Sequence, residues 1–249
     1  MPAQPPTTEP AIAAAAPPPL PELPLPSREA AKAYRAPRLL RDLRLLDALE
    51  LTGTTQEAGR WLAVSQPTVS RRSRRLVEEF GMPPRRQAKR LPQGSTVSLR
   101  QLRLAARWHR FEAGVAALAT DPLHGWLLAE LNGLLPVPQR FRCGHAWLDL
   151  VRSGVVDAAL LSSLEREPPT LCQEAPLLRG AAEPWPAPRE PEQLHLGHWP
   201  LQGLCPLETP RERHEHLWLL LPPEWPAVPV LRLAVESLRQ KAKAAGALT

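Results

Sequence analysis

Cysteine is scarce in this 249-residue chain, with three widely separated residues. That excludes a disulfide framework and fits a reducing compartment. No apolar run approaches the ~20 residues of a membrane span, so neither a membrane partner nor an extracytoplasmic location is expected. Gly-rich phosphate loops, nucleophile elbows and convincing catalytic pairs are missing too, so the chain does not read as an enzyme, and no cofactor is expected. Cys143 with His145, and His214 with His216, put candidate ligands only two apart. Structural zinc sites space such pairs more widely, so no metal site is expected either. Lysine is rare at 4 residues against 27 arginines, a ratio that biased genome composition also produces.

Proline is plentiful where order would need other residues. Residues 1–26 hold 10 prolines and an alanine run, without the basic start and apolar core of a targeting segment. Residues 1–37 are expected to form a disordered Pro/Ala-rich tail.

The most informative stretch runs from Ser65 to Gly81. It opens on a helix-capping serine, places Pro67 two residues on and closes on glycine. Between these lie Gln66, Thr68, Ser70, Arg71, Arg72, Arg74 and Arg75, side chains able to bond base edges or phosphate oxygens. Upstream, Leu39, Leu40, Leu43, Leu46 and Leu49 recur at helical spacing, ending near Gly53. Thr54 or Thr55 can cap a second helix, with Glu57 placed for a capping box. Helix, short turn and exposed basic helix form a helix-turn-helix pattern. Charge agrees: residues 28–118 hold 19 Lys/Arg against 8 Asp/Glu, net +11, while the remainder holds 12 against 17, net −5, which recovers the total of +6. Concentrated positive charge can displace counterions from phosphates. Arg85, Arg86, Lys89 and Arg90, ahead of Pro92-Gln93-Gly94-Ser95, read either as a basic wing or as a solvated loop.

Gly53-Thr-Thr-Gln-Glu-Ala-Gly-Arg-Trp-Leu-Ala-Val-Ser-Gln-Pro-Thr-Val-Ser-Arg71 resembles the DNA-binding segment of LysR-type transcriptional regulators. The family's Gly-Ser-Phe/Leu-Thr-x-Ala-Ala stretch leads to Val-Ser-Gln-Pro-Ala-Leu-Ser-Arg with no gap. The resemblance implies a winged helix-turn-helix, base reading near Gln66, Pro67, Ser70 and Arg71, and dimers on interrupted dyad sites. Thr55 and Ser73 stand where that family has apolar residues, and Met82-Pro83-Pro84-Arg85-Arg86 replaces a hydrophobic-Phe-x-Arg segment. Trp61 is a candidate to refill the lost volume.

A long helix is expected over 96–118. Val97, Gln101, Leu104, Trp108, Phe111, Val115 and Leu118 alternate by four and three, a heptad seam suited to pairing with a second copy or to packing on its own domain. The arginines of that stretch lie largely off the seam. Leu104, Trp108, Phe111, Val115 and Leu118 are the dimerisation candidates; the resemblance implies a linker helix that pairs between subunits.

Beyond it, short helices at 126–131 and 145–152, strands at 141–144 and 154–161, a strand around His195-Leu196, a strand at 217–222 and a helix at 230–244 suggest an α/β layer with a mostly parallel sheet. The segment 150–160 is similar to part of the LysR-type effector domain, in which Asp157 would be structural. No first strand is evident after the linker helix, and the proline-rich stretch 165–210, with a further candidate strand at 169–177, leaves a second lobe reduced or missing. A ligand cleft between two lobes would then lack a wall, which makes a small-molecule effector doubtful.

The expected architecture is α+β: a tail (1–37), a winged helix-turn-helix (38–96), a linker and dimerisation helix (97–119), and a reduced, periplasmic-binding-protein-like α/β domain (120–249). The expected function is a sequence-specific regulator on double-stranded DNA, a homodimer or tetramer, cytoplasmic and nucleoid-associated. A nonspecific architectural DNA binder and an interaction module with a vestigial helix-turn-helix remain open alternatives.

Overall fold

The computed structural model describes residues 22–37, 40–82, 96–162, 165, 191–200 and 214–244, with an α+β architecture around a five-stranded sheet. Along the chain lie α1 (Arg28–Ala33), α2 (Arg41–Thr52), α3 (Thr55–Leu62), α4 (Gln66–Glu79), α5 (Val97–Glu112), β1 (Ala116–Thr120), α6 (Gly125–Leu128), β2 (Leu134–Leu135), α7 (Gly144–Arg152), β3 (Ala158–Ser162), β4 (Glu192–Pro200), β5 (His214–Leu221), a 3-10 turn (Trp225–Ala227) and α8 (Pro229–Ala244).

The N-terminal helices follow their sequence signals closely. α2 stops where Gly53 takes a left-handed φ of 79°. Thr54 caps α3 by accepting the Glu57 N–H at 3.1 Å. The Glu57 carboxylate faces Arg140 at 3.7 Å rather than closing the expected box. α4 ends as the glycine predicts: Gly81 has φ 59°, and the Met82 N–H reaches back to the Val77 carbonyl at 2.9 Å. Leu45, Ala48, Leu49, Ala58 and Val69 bury one seam between α2, α3 and α4. Leu43, Leu46, Leu76, Met82 and Leu99 bury another against α5. Met82 thus supplies apolar volume that the departure after Gly81 was expected to remove.

The sheet order is β2-β1-β3-β5-β4. β1 pairs in parallel with β2 and β3, whereas β5 is antiparallel to both β3 and β4, so the sheet is mixed rather than mostly parallel. Alternation divides its residues between two helical layers. Leu118, Leu160 and Leu219 pack on the α8 side with Leu231, Val235 and Leu238. Ala119, Leu161 and Leu220 pack on the α7 side with Trp147, Leu150 and Val151.

Several expectations require correction. The tail does not extend to residue 37, because Ser27 caps α1 by accepting the Ala30 N–H at 2.9 Å. The helix expected to reach Leu118 ends at Glu112, since Gly114 takes a φ of 68° that a helix cannot continue. Residues 116–120 then form β1, the first strand that was not evident from sequence, and a domain boundary between 119 and 120 would cut through it. Val115 and Leu118 are buried at 0% and 3% exposure inside the fold, so neither is available to a second copy. Residues 141–143 are irregular, with Cys143 at the N-cap of α7, and β3 begins at Ala158 after a turn rather than at 154. The basic tetrad Arg85, Arg86, Lys89 and Arg90, and the candidate strand at 169–177, lie outside the described residues. Among the described residues no helix is long and apolar enough to cross a membrane, and no group of three His, Cys, Asp or Glu side chains is placed to hold a metal.

Candidate nucleic-acid interface

The unit that presents the sequence-predicted site is α3, a tight turn and α4. Ala63 closes α3 in the left-handed region with φ 55°, and the Val64 N–H reaches the Gly59 carbonyl at 2.9 Å. Gly59 is needed there: a Cβ on it would stand 2.7 Å from the Val64 carbonyl oxygen. This close approach was not anticipated, although a glycine inside an otherwise good helix was its visible signal.

α4 is strongly two-faced. Val69 is fully buried and Leu76 nearly so. Ser65, Gln66, Pro67, Arg71, Arg72, Arg74 and Arg75 are exposed, while Thr68, Ser70 and Ser73 are half-buried beside them. Ser65 stands at the N-cap but its hydroxyl bonds the Thr68 Oγ1 at 2.8 Å instead of a backbone amide. The Gln66 Nε2 donates to Thr55 Oγ1 at 3.2 Å, which fixes the amide against α3. Ser73 donates to its own helix at the Ser70 carbonyl, 3.1 Å away, accounting for a polar residue at a position the family fills with an apolar one. Thr54 is exposed next to this row, its oxygen engaged in capping α3.

The four arginines of α4 differ in their charge environment. Arg75 pairs with Glu79 at 2.6 Å, and Arg72 lies 3.7 Å from Asp42. Among the described residues no carboxylate pairs with Arg71 or Arg74. Each bonded pair places a negative charge beside its guanidinium, so Arg71 and Arg74 carry the least compensated positive charge on the face.

The arginines of α5 were expected off the dimer seam, and the structure gives three of them a different role. Arg103 Nε donates to Asp47 Oδ1 at 2.7 Å, both side chains being buried. Arg107 Nε reaches Asp157 Oδ1 at 3.3 Å, and Arg110 holds both Asp157 oxygens at 2.8 and 2.7 Å. The Ala117 N–H completes the shell of Asp157 at 2.7 Å, so its expected structural role agrees with its surroundings. Arg107 also donates to the carbonyls of Val151 and Val156, which fixes the turn between α7 and β3. Burial lowers the pKa of Arg107, with Asp157 opposing the shift. Burial likewise pushes the Asp47 carboxyl up against the pull of Arg103. The outward stripe of α5 is short: Val97 and Gln101 are exposed and Leu104 is half-buried, while Trp108, half-buried, packs edge-on against Phe111 in the core.

Two further arginines, unanticipated as site supports, tie the sheet layer to α2. Arg140 donates to the Thr52 carbonyl, and Arg142 to the carbonyls of Glu50 (2.9 Å) and Leu51. They satisfy the last carbonyls of the helix and place positive charge at its negative end. Trp61 bridges the same junction, packing against residues of both the α2–α4 cluster and the α7 side of the sheet. The Arg44 guanidinium lies 5.5 Å from its ring centre.

No family model matches the chain, and no curated protein matches it. Solved structures do. A full-length OxyR variant from Pseudomonas aeruginosa aligns at 12% identity over 80% of this chain and 97% of its own, with a TM-score of 0.38. CbnR, a LysR family transcriptional regulator also solved with its target DNA, aligns at 11% over 82% of this chain and 99% of its own, TM-score 0.36. HinK, a LysR family transcriptional regulator from Pseudomonas aeruginosa, aligns at 22% identity over 49% of this chain and 46% of its own, TM-score 0.24. At such identities and TM-scores a likeness carries no functional weight.

Proposed function

We propose that the chain is a sequence-specific, LysR-type DNA-binding transcriptional regulator that acts on double-stranded DNA as a homodimer, with α4 as its recognition helix. The observation that carries this reading is the polar, arginine-rich outer face of α4, held by a buried Val69–Leu76 seam. A helix of this kind can enter a major groove with its N-terminal residues toward base edges. Gln66, Thr68, Ser70 and Arg71 would meet bases or the adjacent phosphates, with Ser65, Pro67 and Thr54 at the entrance. Arg72, Arg74 and Arg75, and the wing residues Arg85, Arg86, Lys89 and Arg90, would hold phosphates.

The homodimer reading draws on the stripe Val97–Gln101–Leu104–Trp108 of α5, now without its last three positions, Phe111, Val115 and Leu118. Pairing doubles the base pairs read and imposes a dyad on the site. A regulator of this kind works in the cytoplasm, on the nucleoid.

Selection from a pool of random-sequence duplexes tests the proposal. The expected result is enrichment of two related half-sites about one helical turn apart. Retention of duplex without any enriched motif would make the protein a nonspecific architectural binder, and no retention at low salt would remove DNA from its function.

A further inference from the structure

A cavity of about 670 Å³ lies where the N-terminal helices meet the sheet layer. One wall is α2 and α3, through Leu43, Arg44, Leu51 and Trp61; the opposite wall is the segment around β2, through Leu131 to Val137. The third wall is α1 and the residues after it, which include Tyr34. That third wall is seated in place. A Cβ on Gly133 would stand 2.5 Å from the Pro26 Cβ, and one on Gly114 would stand 3.2 Å from the Leu25 carbonyl oxygen. The Tyr34 hydroxyl is hydrogen-bonded to His109 Nδ1 at 3.2 Å, which ties the same segment to α5.

The lining combines an apolar interior with charge of one sign. Arg28, Lys32, Arg35 and Arg44 border the space. The lining carboxylate, Asp47, is already held by Arg103 at 2.7 Å, and the lining Arg110 is committed to Asp157. The charge left to a ligand is therefore positive, and the walls of leucine, valine and tryptophan ask for an apolar body. Cavities of a few hundred to about 1,000 Å³ at the meeting of two layers are the size and place at which small molecules bind.

We propose that this cavity binds a small monocarboxylate with an aromatic or branched aliphatic body, its carboxylate toward Arg44 and the basic residues of the α1 segment. Such a ligand touches α2 and α3 on one side and the β2 segment on the other, so its binding free energy differs between arrangements that keep and lose this junction. It would thereby bias how α4 is presented, a consequence that rests on the DNA-binding reading. The site is distinct from any cleft between two lobes of the sheet domain.

Calorimetric titration of the full chain, without DNA, tests the binding itself. Phenylacetate and 4-methylpentanoate serve as probes, with phenylacetamide and 4-methylpentanamide as uncharged controls. The expected result is saturation at one ligand per chain, with at least one acid binding ~10-fold or more tighter than its amide, because a charge-assisted bond is lost with the charge. Arg44→Ala should weaken the acid by a similar factor, and Ala31→Trp, which fills the space from α1, should abolish binding while the circular dichroism spectrum stays the same. No saturable binding of either acid, equal affinity for acid and amide, or undiminished affinity in either variant would overturn the proposal. A parallel duplex titration separates the two readings. Binding of duplex with no binding of acid removes this cavity's role alone; binding of acid with no binding of duplex removes the DNA-binding reading alone.

Discussion

α4 and α5 are both arginine-rich amphipathic helices, yet they spend their guanidinium groups in opposite ways. On α4 the arginines stand in solvent, with Arg72 and Arg75 loosely compensated by Asp42 and Glu79. On α5, Arg103, Arg107 and Arg110 are buried and bonded to Asp47 and Asp157. The difference is not in the helices themselves. It lies in whether another part of the chain brings a carboxylate to meet them, and Asp157 does so from 50 and 47 residues away. A buried guanidinium becomes part of the fold, because removing its partner strands a charge in a low-dielectric interior. An exposed one costs the fold little and remains available to a polyanion.

The largest break of that contrast should come from Asp157→Ala. It leaves Arg107 and Arg110 buried without their counter-ion and should cost about 3–5 kcal/mol in chemical denaturation. A loss comparable to that of a surface substitution would show that the pair is solvated.

Glu165 sharpens the comparison from the carboxylate side. Its oxygens accept from neutral donors, the Trp147 Nε1 at 3.0 Å and the backbone amides of Arg142 and Ser162 at 2.9 and 3.4 Å. Burial raises its pKa to about 7, with the Trp147 bond opposing. A folded-state value above the unfolded one means that the native state holds the proton more tightly. The associated stability is complete below pH ~4.5 and is lost as pH rises through about 7. Unfolding measured across that window should show a decline of up to about 3 kcal/mol. Glu165→Gln should flatten it, and an unchanged slope in that variant would assign the decline elsewhere.

Arg71→Ala acts on the other helix and should leave unfolding within about 0.5 kcal/mol of the parent. Competition between selected and random duplexes should show about 1–3 kcal/mol of lost discrimination. The smallest expected effect belongs to Glu79→Gln, which releases Arg75 from its ion pair. Fluorescence anisotropy should show slightly tighter binding to every duplex and a steeper salt dependence; weaker binding would place Arg75 away from phosphate.

Local signals made much of this arrangement readable. Thr54, Pro67 and Gly81 punctuate α3 and α4 where the sequence places them, because capping and φ preference act within a few residues. The strand at His195-Leu196 and the helix over 230–244 were likewise visible as β4 and α8. The end of α5 was not, since Val115 and Leu118 continue the heptad by spacing while belonging to the core by packing. Gly114 was the contrary signal, and its positive φ decides the matter. The burial of Arg103, Arg107 and Arg110 could not be read, because nothing in a helix's own sequence reports a partner brought by the rest of the fold. The same holds for the cavity, whose walls come from segments far apart in the chain. The exposed face of α4 was readable because exposure there needs only its own apolar seam, Val69 and Leu76, to point inward.

The salt dependence of duplex affinity, compared between the parent and an Arg71→Ala/Arg74→Ala double variant, tests the division of labour most directly. If α4's open arginines meet phosphate and base edges, the slope of log affinity against log salt should become shallower by about 1–2 while the unfolding midpoint stays in place. An unchanged slope and affinity in a variant that remains folded would contradict the account.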